Sequence, residues 1–222
     1  MTVLEAVRPP TNDTEERLLD AALSLFAEKG YEAASVREII EATGVTRPVL
    51  YYYCSSKEDL FKRLVHWKHD EAYRSLGKFI GGTKECVPRL RAILRGSFEF
   101  CATDSRVPRL MFQTHFGPTI PAIADFLAEL AGMRFSIIQQ VIQDGLDAGE
   151  LAGGNAGALS LIFCCIMDQH INILSRMPEP AKYLTPELAD SLVDVFLFGV
   201  SSPKVGSRKR KQPALPPFAE DS

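Results

Sequence analysis

The sequence predicts an all-α protein in which an N-terminal three-helix domain is joined by a fourth helix to a larger helical domain. Apolar residues recur at intervals of three and four along most of the 222 residues, which is the spacing of amphipathic helices. No stretch shows a convincing alternation of apolar and polar residues, the pattern typical of strands. The predicted divisions are residues 1–12 for a flexible arm, 13–75 for the small domain, 83–200 for the larger domain and 201–222 for a disordered tail.

The first helix is predicted to run from about Asp13 to Lys29. It should end at Gly30, because glycine commonly follows the last turn of a helix. Pro9 and Pro10 precede it and indicate a loose arm. Five apolar residues at helical spacing would form the buried face of this helix. They are Leu18, Leu19, Ala22, Leu23 and Phe26.

Two short amphipathic helices separated by a glycine turn are predicted within residues 35–60. Ser35 and Glu38 form the S-x-x-E capping box that begins a helix, and Gly44 can adopt the left-handed conformation that ends it. Thr46 is a good N-cap for the second helix. Pro48 is tolerated there because it falls in the first turn, where backbone N–H groups lack intrahelical partners. The arrangement is a helix-turn-helix, and it predicts DNA binding.

The second of these helices presents an outward row suited to the major groove of DNA. The residues expected to face inward are Val49, Leu50 and Tyr53. Those left to face outward are Thr46, Arg47, Tyr51 and Tyr52. An arginine can donate two hydrogen bonds to a guanine edge, and threonine or tyrosine side chains can reach phosphates or a thymine methyl group. A helix following a second capping box, Ser55 with Glu58, would complete this domain.

The same residues carry a resemblance to a known family. The first 75 or so residues resemble the DNA-binding domain of TetR-family transcriptional regulators. The matching stretches are residues 18–31, 35–41, 43–46, 50–52 and 56–60. The resemblance implies that Ser35 contacts a phosphate and that Lys57 grips the DNA backbone. It also implies that the recognition helix reads bases from Thr46, Arg47 and Tyr51.

Two positions depart from the family pattern. The family usually has His-Phe where this chain has Tyr53 and Cys54, and a small residue or glycine where it has Pro48. We include Pro48 and Tyr52 among the predicted DNA-contacting residues, and Pro48 can alter how deeply the helix enters the groove. The operator sequence therefore cannot be copied from relatives.

Composition indicates a soluble cytoplasmic protein without a membrane partner. The formal net charge is −3, and 46% of the residues are hydrophobic. The longest strongly apolar stretch, Leu159 to Met167, is too short to span a bilayer, and no signal-peptide pattern opens the chain. The five cysteines show no C-x-x-C spacing. No cofactor or metal is predicted.

Aromatic and methionine residues are dense within residues 88–175, where they either fill a core or line an apolar pocket. TetR-family proteins hold small, often hydrophobic effectors in this region, so the resemblance implies an effector site here. The predicted lining residues are Phe98, Phe112, His115, Phe116, Met133 and Met167. Candidate polar contacts are Gln113, His115, Asp168 and His170. The helices predicted here run from about Pro88 to Thr103, Arg106 to His115 and Ile120 to Ala148.

The last two predicted helices are apolar nearly all round, from Ala158 to Ile173 and from Leu188 to Val200, and Thr185 with Pro186 gives the last one its N-cap and first turn. Each is therefore expected to pack within its own subunit and against a partner. In the family these helices build a four-helix dimer bundle; a large monomeric core is the alternative. The predicted interface residues are Leu161, Leu188, Leu192 and Phe196. A dimer would place two recognition helices about 34 to 40 Å apart on a near-palindromic operator.

Three further patterns have ordinary explanations. His66 and His69 have the spacing of helix neighbours, and surface histidines of this kind are common, so no metal site is predicted. Cys164 and Cys165 either sense thiol-reactive compounds or, as we favour, fill space in a buried helix. The basic block at residues 204–211 is expected to be solvated; the alternative is that it adds non-specific phosphate contacts.

The sequence thus predicts a transcriptional regulator, with a repressor favoured. Its predicted partners are a double-stranded DNA operator, a small-molecule effector and a second copy of the chain. An alternative is a DNA-bound factor of the nucleoid or division type whose partner is another protein. An enzyme is not supported, since the sequence contains no Ser-His-Asp, metal-ligand or phosphate-loop motif.

Overall fold

The structure is a computed structural model that describes residues 10–80 and 83–199, with the backbone alone at residues 75–80. These residues form an all-helical fold, as predicted. The α-helices are α1 Asp13–Lys29, α2 Val36–Thr43, α3 Arg47–Tyr53, α4 Lys57–Ile80, α5 Cys86–Thr103, α6 Arg106–His115, α7 Ala124–Asp147, α8 Ala156–Leu174 and α9 Pro186–Phe198. Most of the predicted arm, the glycine pair 81–82 and the basic tail lie outside the described residues.

Hydrogen bonds at the helix ends explain why the first helices begin and end where the sequence predicts. The N–H of Glu15 donates to the side chain of Asn12, which caps α1. Ser35 and Glu38 form the predicted capping box of α2, in which each side chain accepts from the backbone N–H of the other residue. Gly44 follows α2 with φ of 69°, a left-handed conformation that costs glycine little.

The cap of α4 differs from the prediction by one residue. The N–H of Asp59 donates to Ser56 Oγ at 3.0 Å, and the carboxylate of Asp59 accepts from the N–H of Ser55 at 2.7 Å. Glu58 instead pairs with Lys62 on the next turn. Two adjacent serines followed by two adjacent acids allow either register, which is why the sequence pattern gave the wrong one.

The long helix of the larger domain is also shorter than predicted at its start. A turn of 3-10 helix, Pro121–Ile123, precedes α7, so the α-helix begins at Ala124 and not at Ile120. At the other end of the domain, the prediction for the last helix is confirmed. Thr185 caps α9 by accepting from the N–H of Leu188 at 3.2 Å, and Pro186 occupies the first turn.

Two buried clusters hold the fold together. The first lies beneath α1 to α4 and includes Phe26, Ile39 and Phe61, but it continues into α6 and α7 through Leu110 and Leu127. The second is formed by α5, α7, α8 and α9. Because the first cluster includes residues of the larger predicted domain, a movement of α6 must disturb the packing of the helix-turn-helix domain.

A charged network joins α1, α3 and α4. The side chain of Glu15 is 3% exposed, forms an ion pair with Arg63 and accepts two hydrogen bonds from Thr11, each of 2.8 Å. Arg63 also donates to the backbone carbonyl of Tyr53, at the end of α3. The hydroxyl of Tyr53 bonds to Asn12 at 3.0 Å. These contacts fix the end of α3 against the start of α1.

We predict that Arg63→Met lowers the free energy of unfolding by about 3 kcal/mol, because it leaves the buried carboxylate of Glu15 without its ion partner. Urea unfolding at one fixed protein concentration measures this change. Lys62→Met removes a more exposed ion pair from the same helix and should cost less than about 1 kcal/mol. Equal losses in the two variants would show that the Glu15 pair has no special role.

Candidate DNA-binding surface and effector cavity

The outward row predicted for α3 lies on the surface. Its residues, all exposed, are Thr46, Arg47, Pro48, Tyr51 and Tyr52. Tyr52 is 83% exposed, so its ring does not pack in the core, whereas Leu50 on the opposite side of the helix is fully buried. The guanidinium of Arg47 lies 5.7 Å from the ring centroid of Tyr51, within the range of a cation–π contact. The helix therefore presents hydrogen-bonding side chains outward and keeps its apolar side in the core.

Lys57 and Ser35, the predicted phosphate contacts, both have intramolecular partners. The ammonium of Lys57 donates to the backbone carbonyls of Glu32 and Ala34 at 3.1 and 3.0 Å and lies over the ring of Tyr31. A lysine ammonium has three N–H groups, so one remains for a phosphate.

Ser35 is more fully engaged. Its N–H and its hydroxyl both donate to Glu38, at 2.8 and 2.7 Å. The bond from Lys29, followed by those from Ser35, lowers the pKa of Glu38 to about 2, so this carboxylate is charged at neutral pH. A phosphate contact by Ser35 therefore requires Glu38 to give up one of these bonds.

A cavity of about 480 Å³ lies between residues of α1 and of α4 to α8. Its size falls in the range of small-molecule sites, and its lining is mainly apolar. The predicted residues that line it are Phe112, His115, Phe116, Met167 and Asp168. Phe112 and Phe116 stack with their ring centroids 5.6 Å apart.

The other predicted pocket residues lie elsewhere. Phe98 is fully buried in the second cluster and Met133 packs against the first, because the helix faces that carry them point into the cores. Gln113 donates its amide to the carbonyl of Ala27, and His170 bonds to the carbonyl of Ile166 within its own helix. None of these four candidates lines the cavity.

The cavity is also lined by polar residues that the sequence did not predict as pocket residues, among them His69, Tyr73 and Arg134. Arg134 and Asp168 form a two-bond ion pair, with N–O distances of 2.6 and 2.7 Å. Burial lowers the pKa of His69 to about 4, so its ring is uncharged at neutral pH. The sequence does contain a signal for this pair. A single arginine lies in an apolar stretch of α7, and a single aspartate lies in an apolar stretch of α8.

Contacts between α6 and α1 connect the cavity to the helix-turn-helix domain. Arg106, at the start of α6, donates to Asp20 and Ser24 of α1, each at 2.7 Å, and to Asp104 at 2.8 Å. These acceptors raise the pKa of Arg106, so it remains charged. The next residue, Val107, lines the cavity, as does Leu23 of α1. One wall of the cavity is therefore held by α1, whose buried residues belong to the same cluster as Leu50 of the recognition helix.

Comparison with known proteins assigns this architecture. Residues 18–64 match the family model described as bacterial regulatory proteins, tetR family. The helix-turn-helix part of the chain is therefore similar to the DNA-binding domain of TetR-family regulators. The HTH-type transcriptional activator FasR of Mycolicibacterium smegmatis is 33% identical over 117 residues, which cover 53% of this chain and 53% of FasR. The chain thus spans about half the length of this curated relative.

Two solved structures share the fold over nearly their whole length. FadR of Bacillus subtilis in complex with stearoyl-CoA has a TM-score of 0.73 and 19% identity, covering 84% of this chain and 99% of FadR. AibR in complex with isovaleryl coenzyme A and operator DNA has a TM-score of 0.67 and 19% identity, covering 83% of this chain and 98% of AibR. At this level of identity the likeness shows the fold alone.

At the other end of the chain, α8 and α9 leave an apolar face uncovered. Leu161 and Ile162 of α8 are 41% and 48% exposed, and Val195 and Phe198 of α9 are 41% and 78% exposed. Among the described residues, α8 is long and apolar enough to cross a membrane by length and composition alone, a test that core helices of soluble proteins also pass. The charged Asp168, paired with Arg134, lies within this helix.

Only one of the predicted interface residues, Leu161, lies on this uncovered face. The other three pack partly against the second cluster of their own subunit: Leu188, Leu192 and Phe196. Phe196 contacts Phe163 edge to face, with ring centroids 5.4 Å apart. The helix α9 has 13 residues and is apolar on most sides. Its sequence pattern therefore did not show which side faces the core of its own subunit.

The remaining candidate sites are the histidine pair and the cysteine pair, both in the part of the chain that the structure describes. No group of three or more metal-ligating side chains occurs there. Cys164 is buried, and burial raises the pKa of its thiol to about 11, which disfavours the reactive thiolate. Cys165 is exposed on the apolar face of α8.

Proposed function

We propose that the protein is a DNA-binding transcriptional repressor that leaves a palindromic operator when a hydrophobic effector fills the cavity. The observation that carries this proposal is the shared wall, since residues of α1, α4 and α6 line the cavity and also contribute to the core beneath the recognition helix. The proposal is supported by the shared fold of FadR, which was solved with stearoyl-CoA, and of AibR, which was solved with isovaleryl coenzyme A and operator DNA. FasR is named as an activator, so an experiment must decide whether this protein represses or activates transcription.

For DNA recognition we propose that α3 enters the major groove with Thr46, Arg47 and Tyr51 at base edges. Pro48 and Tyr52 would border this contact, and both are exposed. Lys57 would contribute its third N–H to a phosphate, and Ser35 would do so after exchange of its bond to Glu38. No catalytic role is proposed for any of these residues.

We predict that Arg47→Ala weakens binding to the specific operator by about tenfold to a hundredfold, the cost of losing a bidentate contact to a base. A gel shift on the DNA flanking the protein's own gene, with excess competitor, measures this. Arg109→Ala is the matched control, because Arg109 is an exposed arginine on α6, away from α3. Wild-type protein that coats any DNA equally would favour the alternative of a nucleoid-type factor.

For regulation we propose that the effector displaces α6, which then moves α1 and α4. A ligand shifts the population only by its preference for one state, and a shift from 1:99 to 99:1 needs about 5.5 kcal/mol. Arg106 is suited to transmit this displacement, because it bridges the start of α6 to Asp20 and Ser24. The apolar contacts of Leu110 in the first cluster support the same connection.

We predict that Arg106→Ala reduces the ability of a bound effector to release DNA, because the polar bridge between α6 and α1 is lost. The measurement is operator affinity with and without saturating effector, for the wild type, Arg106→Ala and Arg109→Ala. The ratio of the two affinities should fall at least about fivefold in Arg106→Ala alone, a coupling loss of roughly 1 kcal/mol. An unchanged ratio would place the connection in the apolar contacts only.

We further propose that the uncovered face of α8 and α9 forms a homodimer. The face is apolar across two adjacent helices, and a symmetric contact would bury residues that otherwise remain in water. A dimer also supplies the two-fold symmetry that a palindromic operator requires. We expect Leu161, Ile162 and Val195 to lie in this interface. Leu192 and Phe196 should contribute less, because they pack partly against the core of their own subunit.

We predict that Ile162→Asp converts the dimer into a folded monomer, because a buried unpaired carboxylate opposes association across the apolar face. Sedimentation velocity gives the mass, and circular dichroism checks the fold. Ala128→Asp, at an exposed position of α7, provides the same charge change as a control. A dimer that persists in Ile162→Asp would move the interface to another surface.

A further inference from the structure

The hydroxyl of Tyr53 connects the recognition helix to the start of α1. Tyr53 is the last residue of α3, and its hydroxyl donates to the side-chain oxygen of Asn12 at 3.0 Å. The same oxygen accepts from the backbone N–H of Glu15 at 3.1 Å, the bond that caps α1. One amide oxygen therefore both caps α1 and holds the side chain at the end of α3.

The rest of Tyr53 is held as well. Arg63 of α4 donates one N–H to the backbone carbonyl of Tyr53 and another to the buried carboxylate of Glu15. The ring of Tyr53 is half-buried and packs against the first cluster. A different rotamer of Tyr53 would lose both the bond to Asn12 and the packing of the ring, so the surrounding residues favour the one observed.

Tyr53 in turn packs against a tyrosine on the proposed DNA-binding surface. The rings of Tyr52 and Tyr53 meet edge to face, with their centroids 5.1 Å apart and an angle of 85° between the ring planes. Aromatic pairs favour this geometry. Because Tyr52 is 83% exposed, little else restrains its ring. A fixed Tyr53 therefore limits the directions in which the ring of Tyr52 can point.

We infer that Tyr53 is a positioning residue for DNA recognition, whose bond to Asn12 sets the orientation of Tyr52 before the DNA arrives. A phenol has one O–H to donate, and Asn12 receives it, so none is left for a phosphate. A side chain that is already ordered loses less rotational freedom on binding, so the same contact gives a higher affinity. The inference rests on the proposed function in taking α3 as the helix that enters the major groove.

The first test removes the hydroxyl without changing any charge. Tyr53→Phe should weaken binding to the operator about threefold to tenfold, the effect of one neutral hydrogen bond. Binding to non-specific DNA depends mainly on charge and should stay the same. Fluorescence anisotropy measures both affinities at one salt concentration, with the duplex that the wild type selects from random sequences and with a scrambled duplex of equal length.

Tyr183→Phe is the matched control for this test, because Tyr183 is an exposed tyrosine close to the start of α9 and far along the chain from α3. A wild type that prefers no sequence refutes the proposed function and this inference together. A sequence-specific wild type whose operator affinity survives Tyr53→Phe refutes this inference alone.

The second test asks whether the hydroxyl acts through Asn12. Asn12→Ser keeps an N-cap for α1, but the shorter side chain cannot hold the same bond to Tyr53. It should weaken operator binding as much as Tyr53→Phe does, and the double variant should be no weaker than either single variant, since both changes remove one bond. Additive losses, or a loss in Tyr53→Phe alone, would indicate that the hydroxyl contacts DNA directly and would contradict a positioning role.

The third test asks whether the effect passes through Tyr52. In a Tyr52→Ala background, Tyr53→Phe should change operator affinity by less than about twofold, because no ring remains to be oriented. A loss as large as in the wild-type background contradicts the role given to Tyr52. Urea unfolding separates positioning from stability: Tyr53→Phe should keep the wild-type midpoint, since its bond to Asn12 lies at the surface. A lowered midpoint together with equal losses on both duplexes would make Tyr53 a structural residue and overturn the inference.

Discussion

The packing of α6 against α1 is the contact on which the proposed regulation depends. Val107 and Leu110 of α6 enter the buried cluster that also contains Phe26 and Phe61 of the helix-turn-helix domain. Interiors packed at crystal density do not absorb displacements gradually, so a ligand beside α6 must either leave it in place or shift it together with its neighbours. In the proposed mechanism a ligand in the cavity changes the position of α3 through these contacts, although α3 itself does not line the cavity.

Polar groups enter this apolar interior under strict conditions. The buried carboxylate of Glu15 and the half-buried ion pair of Arg134 with Asp168 have their hydrogen-bonding partners in place. The hydroxyl of Tyr73 differs from them, because it is buried without a hydrogen-bonding partner among the described residues.

The sequence predicted the helices of the DNA-binding domain well because local chemistry determines them. The Ser35 and Glu38 box, the left-handed Gly44 and the Thr185 cap are each decided by residues within a few positions of one another. The α4 cap was misplaced by one residue because Ser55 and Ser56 offer the same group, and only the geometry selects Asp59 as their partner. The DNA contacts themselves stay predictions, although the exposure of the α3 row agrees with them.

The cavity was less predictable because its wall is assembled from six helices. Aromatic content pointed to the correct region, but it could not separate Phe98, buried in the core, from Phe112, which lines the cavity. The pairing of Arg134 with Asp168 spans 34 positions and depends on how α7 crosses α8. For the same reason, Leu161 and Phe196 looked alike in sequence, although one faces outward and the other packs against Phe163.

The DNA-binding surface carries a further constraint that the sequence alone concealed. Ser35 stabilises α2 through Glu38, and Glu38 is also held by Lys29. If the hydroxyl of Ser35 turns to a phosphate, Glu38 loses one donor, and Lys29 and the backbone N–H of Ser35 must hold its negative charge close to the DNA. Like charges repel at this distance, so the contact is favourable only where the third N–H of Lys57 and the donors of α3 supply enough positive potential. Phosphate binding at Ser35 would thus follow, rather than lead, the docking of the recognition helix.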